Sequence, residues 1–199
     1  MSSLTWLGRA DLATLACPYC GRTADPQAEA MAAAEEAWGF VGAALTQPAG
    51  RTAALLIAPV PQTRTALVSR LWVAPGQVGR GRGKRLVQAT AAGLLSSGVE
   101  TIVARGARSK KDCAAPPSDF LRAVGFSRTA DERLHAALRS PASVHRFGPV
   151  TDQDRTRLWR LDLDATVSVP NGLRGLVEDW LRALRPIRPE PAGRVSRES

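Results

Sequence analysis

Residues 70–95 have the sequence RLWVAPGQVGRGRGKRLVQATAAGLL, and this stretch decides the fold. Its first residues are apolar and branched, as expected of a strand, and toward its end Leu86, Thr90 and Leu94 recur at helical spacing. A loop with glycines at 76, 79, 81 and 83 separates the two. Glycine permits positive φ and close approach to a ligand, and amides near a helix N-terminus attract anions. The stretch therefore predicts a strand, a phosphate-binding loop and a helix.

The charges and the spacing of this loop narrow the choice of phosphate ligand. Arg80, Arg82 and Lys84 add positive charge, and charge-assisted hydrogen bonds are about twice as strong as neutral ones. A Walker A loop is excluded because Val78 would stand at its first glycine and Arg85 at its hydroxyl position. The dinucleotide fingerprint is excluded because the glycines run G-x-G-x-G from residue 79. A merely flexible loop is the alternative.

Length and composition limit the classes of protein to which this chain can belong. The chain has 199 residues, which suits one domain of roughly 100 to 200 residues. Hydrophobic residues make up 44% and charged residues 23%, which excludes a disordered or fibrous protein. There is no apolar run of about 18 residues, no signal-peptide pattern and only three cysteines, an odd number for a secreted disulfide framework. We therefore expect a cytoplasmic protein without a membrane partner.

The formal net charge of +9 raises the alternative of a nucleic-acid binder. Of the 27 basic residues only three are lysine, an arginine bias that a GC-rich genome can produce. One tyrosine and four phenylalanines leave few platforms on which bases could stack, so nucleic acid is an unlikely partner. The basic residues form two clusters suited to phosphate, Arg80, Arg82, Lys84 and Arg85, and then Arg105, Arg108, Lys110 and Lys111.

Helical patterns occur in four places. Residues 25–38 are rich in helix formers, with Asp25 as cap and Pro26 at the first helical position. Residues 81–97 form the strongest helical pattern, which Gly98 terminates. Ser118 can cap a short helix that ends at Gly125. Residues 173–184 are amphipathic and could pair two subunits in a homodimer, and a Pro/Arg/Ser tail expected to be disordered follows them.

Short apolar segments separated by turn residues predict the strands. They cover residues 38–46, 52–60, 66–74 and 100–104, a segment beginning at 126–130, and a half-buried strand at 158–165. Residues 139–155 hold few apolar positions and predict a long loop. We divide the chain into a core domain, residues 1–165, and a C-terminal helix with its tail, residues 166–199.

Two motifs in register resemble the GNAT superfamily of acyl-CoA-dependent N-acyltransferases. Residues 73–83, VAPGQVGRGRG, resemble its acetyl-CoA signature V-x-P-x-x-R/Q-G-x-G-x-G/A. Residues 120–126, FLRAVGF, resemble its late helix, commonly F-Y-x-x-L-G-F. The likeness covers about residues 36–165 and extends to a bacterial group that carries a Cys-x-x-Cys before the acyltransferase core.

The resemblance implies an α/β fold, with a mixed, mostly antiparallel twisted sheet flanked by helices. Acyl-CoA, acetyl-CoA above all, would lie between two splayed parallel strands, here those ending near Val73 and Ala104. An amine, on a small molecule or a protein, would attack the thioester directly. The resemblance implies that the cofactor-binding residues are Leu71, Trp72, Val73, Val78, Gly79, Arg80, Gly81, Arg82, Gly83, Lys84 and Phe120.

Two positions depart from the family pattern. Val78 replaces the Arg or Gln, with Gln77 one position early, so one side-chain contact to the pyrophosphate is lost while main-chain contacts persist. Leu121 stands where the family often has an aromatic hydroxyl as general acid. A thiolate leaving group with a solution pKa of about 8.5 needs little acid help, so this departure does not imply an inactive protein.

No carboxylate lies on the predicted strand 66–74 to serve as the base that an ammonium acceptor needs. Glu35 and Glu36, at the end of the first predicted helix, are the candidate catalytic bases, directly or through water. The alternative is a solvated helix face. Trp72 either lines the acceptor pocket or packs in the core.

The cysteines and histidines do not form a recognisable metal-binding or catalytic motif. Cys17 and Cys20 form a CxxC, which is only half of a zinc ribbon, and Cys113 could meet them in the inferred topology. Three thiolates could hold a metal, form a redox pair with a nucleophile, or simply pack; we assign no metal site. His135 and His145 have no serine or cysteine motif beside them, so a nucleophilic triad is not expected. Besides the N-acyltransferase, a non-catalytic CoA-binding sensor is the main alternative.

Overall fold

A computed structural model describes residues 2–107, 115–143 and 157–163. Its strands are β1 (Ser3–Leu7), β2 (Gly42–Gln47), β3 (Gly50–Pro59), β4 (Thr65–Val73), β5 (Thr101–Arg105), β6 (Ser127–Arg128) and β7 (Leu158–Asp162). Its helices are a 3₁₀ helix (Arg9–Thr14), α1 (Glu29–Trp38), α2 (Arg82–Leu95), α3 (Ser118–Ala123) and α4 (Glu132–Arg139).

The seven strands form one sheet in the order β1-β2-β3-β4-β5-β7-β6. Strands β1 to β4 are an antiparallel meander, and β7 pairs antiparallel with both β5 and β6. Among the strands that the structure describes, only β4 and β5 pair in parallel, because the chain crosses between them through α2. The predicted α/β class, with a mostly antiparallel sheet flanked by helices, is confirmed.

Each face of the sheet carries its own core. On one face α2 packs through Leu86 and Leu94 against the apolar side chains of β2, β3 and β4. On the other face α1 and the 3₁₀ helix pack through Met31 and Leu12 against the same strands, and α4 covers β5 through Leu134. The core on the α2 face holds both ends of α2, and β4 contributes residues to the cores on both faces.

Two helix starts differ from the sequence prediction. The first helix begins at Glu29 instead of residue 25, because the Asp25 carboxylate accepts a hydrogen bond from the Gln27 N–H (2.8 Å) and forms a turn before the helix. Ser118 is the first residue of α3 and Pro117 is its cap. The Ser118 hydroxyl donates instead to the Ala107 carbonyl (3.4 Å), so it satisfies no helix amide.

Three elements were not predicted, β1, the 3₁₀ helix and α4. Asp131 caps α4, with its carboxylate accepting from the N–H groups of Arg133 (2.9 Å) and Leu134 (3.2 Å). The strand predicted for 158–165 ends at Asp162, and that predicted near 126–130 is only Ser127–Arg128. The predictions for Arg108, Lys110, Lys111, Cys113 and His145, for most of the 139–155 loop and for residues 166–199 lie outside the described residues. No helix in the described part of the chain is long and apolar enough to span a membrane.

Candidate functional site

The central feature of the site is the point at which β4 and β5 stop pairing. The two strands pair from Thr65 to Val68 on β4 and from Thr101 to Ala104 on β5. The register between β3 and β4 shifts at the same place, since Ile57 pairs with Val68 and Leu56 with Arg70. Ser69 is therefore an extra residue on β4, a bulge that turns the strand. Beyond it β4 continues to Val73 with no described strand on its β5 side.

The main chain of Leu71 and Val73 faces this open side. Successive peptide groups of a strand point to opposite sides. The Ala74 N–H donates to the Thr52 carbonyl on β3 (2.8 Å), so the peptide groups of Ala74 and Trp72 face β3. Those of Leu71 and Val73 consequently face away from β3. Their N–H and C=O groups form an edge on which an extended ligand can pair.

The glycine loop adjoins the end of this edge. Gly76, Gly79 and Gly81 have φ values of 76°, 79° and 71°, which a side chain would strain. Gly81 is the N-cap of α2, so the amides at the start of the helix have no partner within it. Val78, Gly79, Arg80 and Lys84 are exposed on this loop. A diphosphate can therefore reach main-chain amides and two cationic side chains together.

Arg82 has a different environment from its neighbours. Its Nη1 donates to Thr52 Oγ1 (3.0 Å), and the side chain is half-buried against β3. The Thr52 hydroxyl in turn donates to the Leu45 carbonyl (3.0 Å). Sequence reasoning placed the Arg82 charge on the diphosphate. In the structure, the hydrogen bond of Arg82 to Thr52 links the start of α2 to strand β3.

Phe120 closes the site from α3. An ideal Cβ on Gly83 would lie 2.8 Å from Phe120 Cε2 and 3.7 Å from Val73 Cγ2. The late helix, the glycine loop and the open strand thus meet at one point, as the two sequence motifs predict. Phe120 itself is half-buried and packs against the core on the α2 face.

Three solved structures share this architecture. The chain is similar to a GNAT-family acetyltransferase from Staphylococcus aureus over 82% of its own length and 99% of that chain (TM-score 0.53, 13% identity). It is similar to the PaiA N-acetyltransferase from Thermoplasma acidophilum, solved with coenzyme A, over 81% and 99% (TM-score 0.54, 11% identity). The chain adopts the GNAT fold.

A third match is the N-acetylglutamate synthase from Neisseria gonorrhoeae, solved with coenzyme A and N-acetyl-glutamate. It covers 82% of this chain but only 35% of that longer one (TM-score 0.55, 12% identity). The sequence matches no family model, and no curated protein is similar to it. At these identities the likeness establishes the GNAT fold and leaves the activity to be argued from the site.

Both departures from the GNAT pattern are visible in the structure. Val78 is 66% exposed and carries no polar group, while Gln77 beside it is half-buried, with its Oε1 atom buried and without a hydrogen-bond partner. Leu121 is only 1% exposed and packs in the core on the α2 face. Neither Val78 nor Leu121 can donate a proton to a ligand.

Glu35 is held by Arg9. Its Oε1 accepts the Arg9 backbone N–H (2.9 Å) and its Oε2 accepts Arg9 Nε (2.7 Å). These two hydrogen bonds, the backbone bond first, lower the pKa of Glu35 below its usual value of 4.5. A carboxylate stabilised in this way is a weak base, which favours a structural role for Glu35. Glu36 is exposed on the next position of α1.

Trp72 is packed in the core. It is 5% exposed, lies in the cluster beneath α1, and its indole N–H is buried without a hydrogen-bond partner. Its main chain faces β3. The buried side chain and the peptide groups that face β3 favour core packing for Trp72 over its assignment to the cofactor site.

Sequence reasoning missed Tyr19. This residue lies in the CxxC segment, and its hydroxyl donates to the Val73 carbonyl (2.6 Å) on the open edge. Cys17 is buried and Cys20 is exposed, and Cys113 lies outside the described residues. Among the described residues no group of three His, Cys, Asp or Glu could hold a metal ion. A lone tyrosine between two cysteines gives no signal of this contact in the sequence.

Proposed function

We propose that the protein transfers an acetyl or other short acyl group from acyl-CoA to an amine acceptor. The observation that supports this most strongly is the open edge of β4, whose Leu71 and Val73 peptide groups have no strand partner on the β5 side among the described residues. An arm with amide groups, such as that of CoA, can pair with such an edge as another strand would. We assign the binding of the CoA diphosphate to the glycine loop at the end of this edge.

The same edge can also stabilise the transition state of acyl transfer. The amine nitrogen attacks the acyl carbon, and the carbonyl oxygen gains negative charge in the transition state. An N–H of Leu71 or Val73 donates to that oxygen, an interaction worth roughly 3 to 4 kcal/mol in measured cases. The C–S bond then breaks and a thiolate leaves. The acceptor's extra proton goes to water or to Glu36, since Arg9 already occupies Glu35.

We propose that acyl-CoA contacts nine of the residues assigned to it from the sequence. They are Leu71, Val73, Val78, Gly79, Arg80, Gly81, Gly83, Lys84 and Phe120. The acceptor, a small-molecule or protein amine, is proposed to enter from the α1 side of the open edge. Homodimer formation and a cytoplasmic location stay proposals from the sequence.

A non-catalytic CoA sensor is the second candidate. The buried apolar Leu121 and the ion-paired Glu35 both favour it, since neither supplies acid–base chemistry. Such a protein would bind acyl-CoA on the same edge without turning it over.

Two measurements on the full chain separate the candidates. Calorimetry with CoA and acetyl-CoA should show saturable binding, and a thiol-release assay with acetyl-CoA and a panel of amines should show steady turnover. Binding without turnover across the panel would favour the sensor. No binding to either thiol or thioester, or salt-sensitive nucleic-acid binding that excess CoA does not affect, would contradict the proposal.

A further inference from the structure

The end of strand β5 carries an arginine whose buried nitrogens lack an acceptor. Arg105 is the last residue of β5 and is half-buried. Its Nε and Nη2 atoms are both buried, and among the described residues neither has a hydrogen-bond partner. The N–H bonds of these two atoms run parallel along one edge of the guanidinium group, at the spacing that the two oxygens of a carboxylate match. Arg105 therefore presents a fork for an anion that the described part of the chain does not supply.

Other arginines of this fold do have an anion beside them. Five of them lie within 3.4 Å of a carboxylate oxygen, namely Arg9, Arg51, Arg64, Arg122 and Arg160. A buried charge without a counter-ion is destabilising, because its transfer from water is unfavourable and no attraction offsets it. The environment of Arg105 is therefore best explained by a counter-ion that arrives with a ligand.

The residues around Arg105 add further donors and positive charge. Arg105 pairs with Leu158 on β7, and the residues on either side of Leu158 carry buried N–H groups, Arg157 Nε and Trp159 Nε1. Neither of these groups has a partner within the described part of the chain. The guanidinium carbon of Arg128 lies 5.5 Å from the centre of the Trp159 ring. The end of β5 is thus positively charged and favours the approach of an anion.

Arg105 lies on the face of the sheet from which the acceptor is proposed to enter. Directly opposite residues of two strands share a face, and Leu158, the partner of Arg105, belongs to the core beneath α4. That core lies on the α1 face, since its Leu67 pairs with Ala58 of the core beneath α1. The glycine loop leads into α2 on the opposite face. A diphosphate bound there is therefore not the counter-ion of Arg105.

Arg105 is also close to the proposed reacting centre. The last pair between the two parallel strands joins Val68 to Ala104, and Arg105 is the next residue on β5. In that register Arg105 lies about 6.6 Å short of Leu71 along the strand direction and about 4.8 Å across from β4. An arginine side chain and a small acceptor can together bridge this separation. The acceptor nitrogen then meets a thioester held by the N–H of Leu71 or Val73.

Arg70 adds a second positive charge from β4. It pairs with Leu56 of the core beneath α1, so it shares a face with Arg105. Its Nη1 donates to the Arg22 carbonyl (3.2 Å), which is a neutral partner. Neither β4 nor β5 contains an acidic residue. Two positive charges thus flank the opening between the strands, where they attract a carboxylate and repel an acceptor that carries additional positive charge.

We propose that the acceptor is a small amine that also carries a carboxylate, such as an amino acid, and that Arg105 binds this carboxylate. The proposal rests on the function proposed above and names its substrate class. One guanidinium group balances the single negative charge of a carboxylate, whereas a phosphate monoester carries nearly two negative charges. Acyl transfer to the nitrogen then follows as described above, so Arg105 is a binding residue that selects the acceptor and is neither acid nor base.

The test uses the full chain and acceptors that differ only in the carboxylate. Each member of a panel of L-amino acids is compared with its own amide, and phosphoethanolamine and spermidine are added as acceptors with the wrong charge. We measure kcat and KM by thiol release from acetyl-CoA, and CoA affinity by calorimetry. The variants are Arg105→Met, which removes the charge, and Arg105→Lys, which keeps the charge without the fork. Arg64→Met is the matched control, because Arg64 pairs with Glu100 at the other end of the parallel strands.

The wild-type protein should turn over at least one amino acid with a kcat/KM that is about tenfold or more above that of its amide. Arg105→Met should reduce this ratio by about tenfold, mainly through KM, and leave CoA affinity unchanged. Arg105→Lys should retain part of the ratio, and Arg64→Met should retain all of it. Without ligand, Arg105→Met should also raise the Tm, because the substitution removes a buried unpaired charge.

Equal kcat/KM values for the amino acids and their amides, or fastest turnover of phosphoethanolamine or spermidine, would overturn the carboxylate assignment and leave acyl transfer intact. An unchanged ratio in Arg105→Met, or an equal loss in Arg64→Met, would overturn the role of Arg105. A lower Tm of Arg105→Met would do the same, since it would show that the protein supplies the counter-ion itself. Absence of CoA binding, or of turnover with every amine, would instead overturn the proposed function and this inference with it.

Discussion

The ring of Phe120 lies against Gly83, so closely that a Cβ on Gly83 would come within 2.8 Å of its Cε2 atom. Gly83 is in the first turn of α2 and Phe120 is in α3, two helices that are separated by strand β5 in the chain. Val73 lies at the same point, since its Cγ2 atom would be 3.7 Å from that Cβ. The small size of residue 83 is therefore a tertiary requirement and not a local one.

We expect Gly83→Ala and Phe120→Ala to be non-additive. Alanine is a better helix former than glycine by about 1 kcal/mol, but in the wild-type background the Phe120 ring must move to admit the new methyl group. In the Phe120→Ala background the ring is absent, so Gly83→Ala should raise the free energy of unfolding. Urea denaturation of the four proteins gives the coupling energy, which should exceed about 0.5 kcal/mol. Additive effects would show that the contact carries no energy.

Gly81→Ala should weaken CoA binding, whereas Gly98→Ala should not. Both residues have positive φ, 71° and 78°, and neither Cβ would meet an atom within 4 Å. Each substitution therefore carries a similar backbone strain, of order 1 kcal/mol or more. Only Gly81 lies in the loop assigned to the diphosphate, so its change should cost roughly tenfold in affinity. Calorimetry measures both, and equal affinities would refute the role of the loop.

Glu35→Gln should reduce stability at neutral pH and leave the pH profile of the rate unchanged. The pKa of Glu35 is lowered in the folded protein, so its ion pair with Arg9 contributes stability above the ordinary value of 4.5. That contribution disappears as the pH falls through the folded pKa, where the carboxylate becomes protonated. The difference in unfolding free energy between the two proteins should thus shrink toward acidic pH. A displaced rate profile would restore Glu35 as a base, and Glu36→Gln is the parallel measurement for the exposed candidate.

Gly42→Ala should be among the most destabilising single substitutions in the sheet. Its Cβ would lie 2.1 Å from the Leu55 carbonyl oxygen, a backbone atom of β3 that cannot move without breaking the ladder. The expected loss is at least about 3 kcal/mol, the upper end of the common range for one substitution. Gly50→Ala, at the first residue of β3 in the same hairpin, meets no atom within 4 Å, so it carries only the backbone strain of a φ of 118° and should cost less. Thermal unfolding measures the stability of both variants. A greater loss for Gly50→Ala than for Gly42→Ala would be inconsistent with the register of β2 and β3.

Local sequence determined the part of the fold that lies between β4 and α2. The predicted helix 81–97 is α2, Arg82–Leu95, because the helical period and the glycines at its ends are properties of consecutive residues. The predicted strand 66–74 agrees with β4 for the same reason, since alternation and branched side chains act within a few residues. The phosphate-loop hypothesis followed from that local pattern.

Tertiary structure decided the contacts between residues that lie far apart in the sequence. Strand β1 is five residues long, and its partner β2 begins 35 residues after it ends, so neither its existence nor its register is expressed nearby in the chain. Arg9 binds Glu35 and Tyr19 reaches Val73 for the same reason. Those pairs are separated by 26 and 54 positions, and only the packing of the N-terminal segment against α1 and β4 brings them within hydrogen-bond distance. Periodicity and glycine spacing fix single elements, whereas a hydroxyl group beside an open strand depends on where the elements pack.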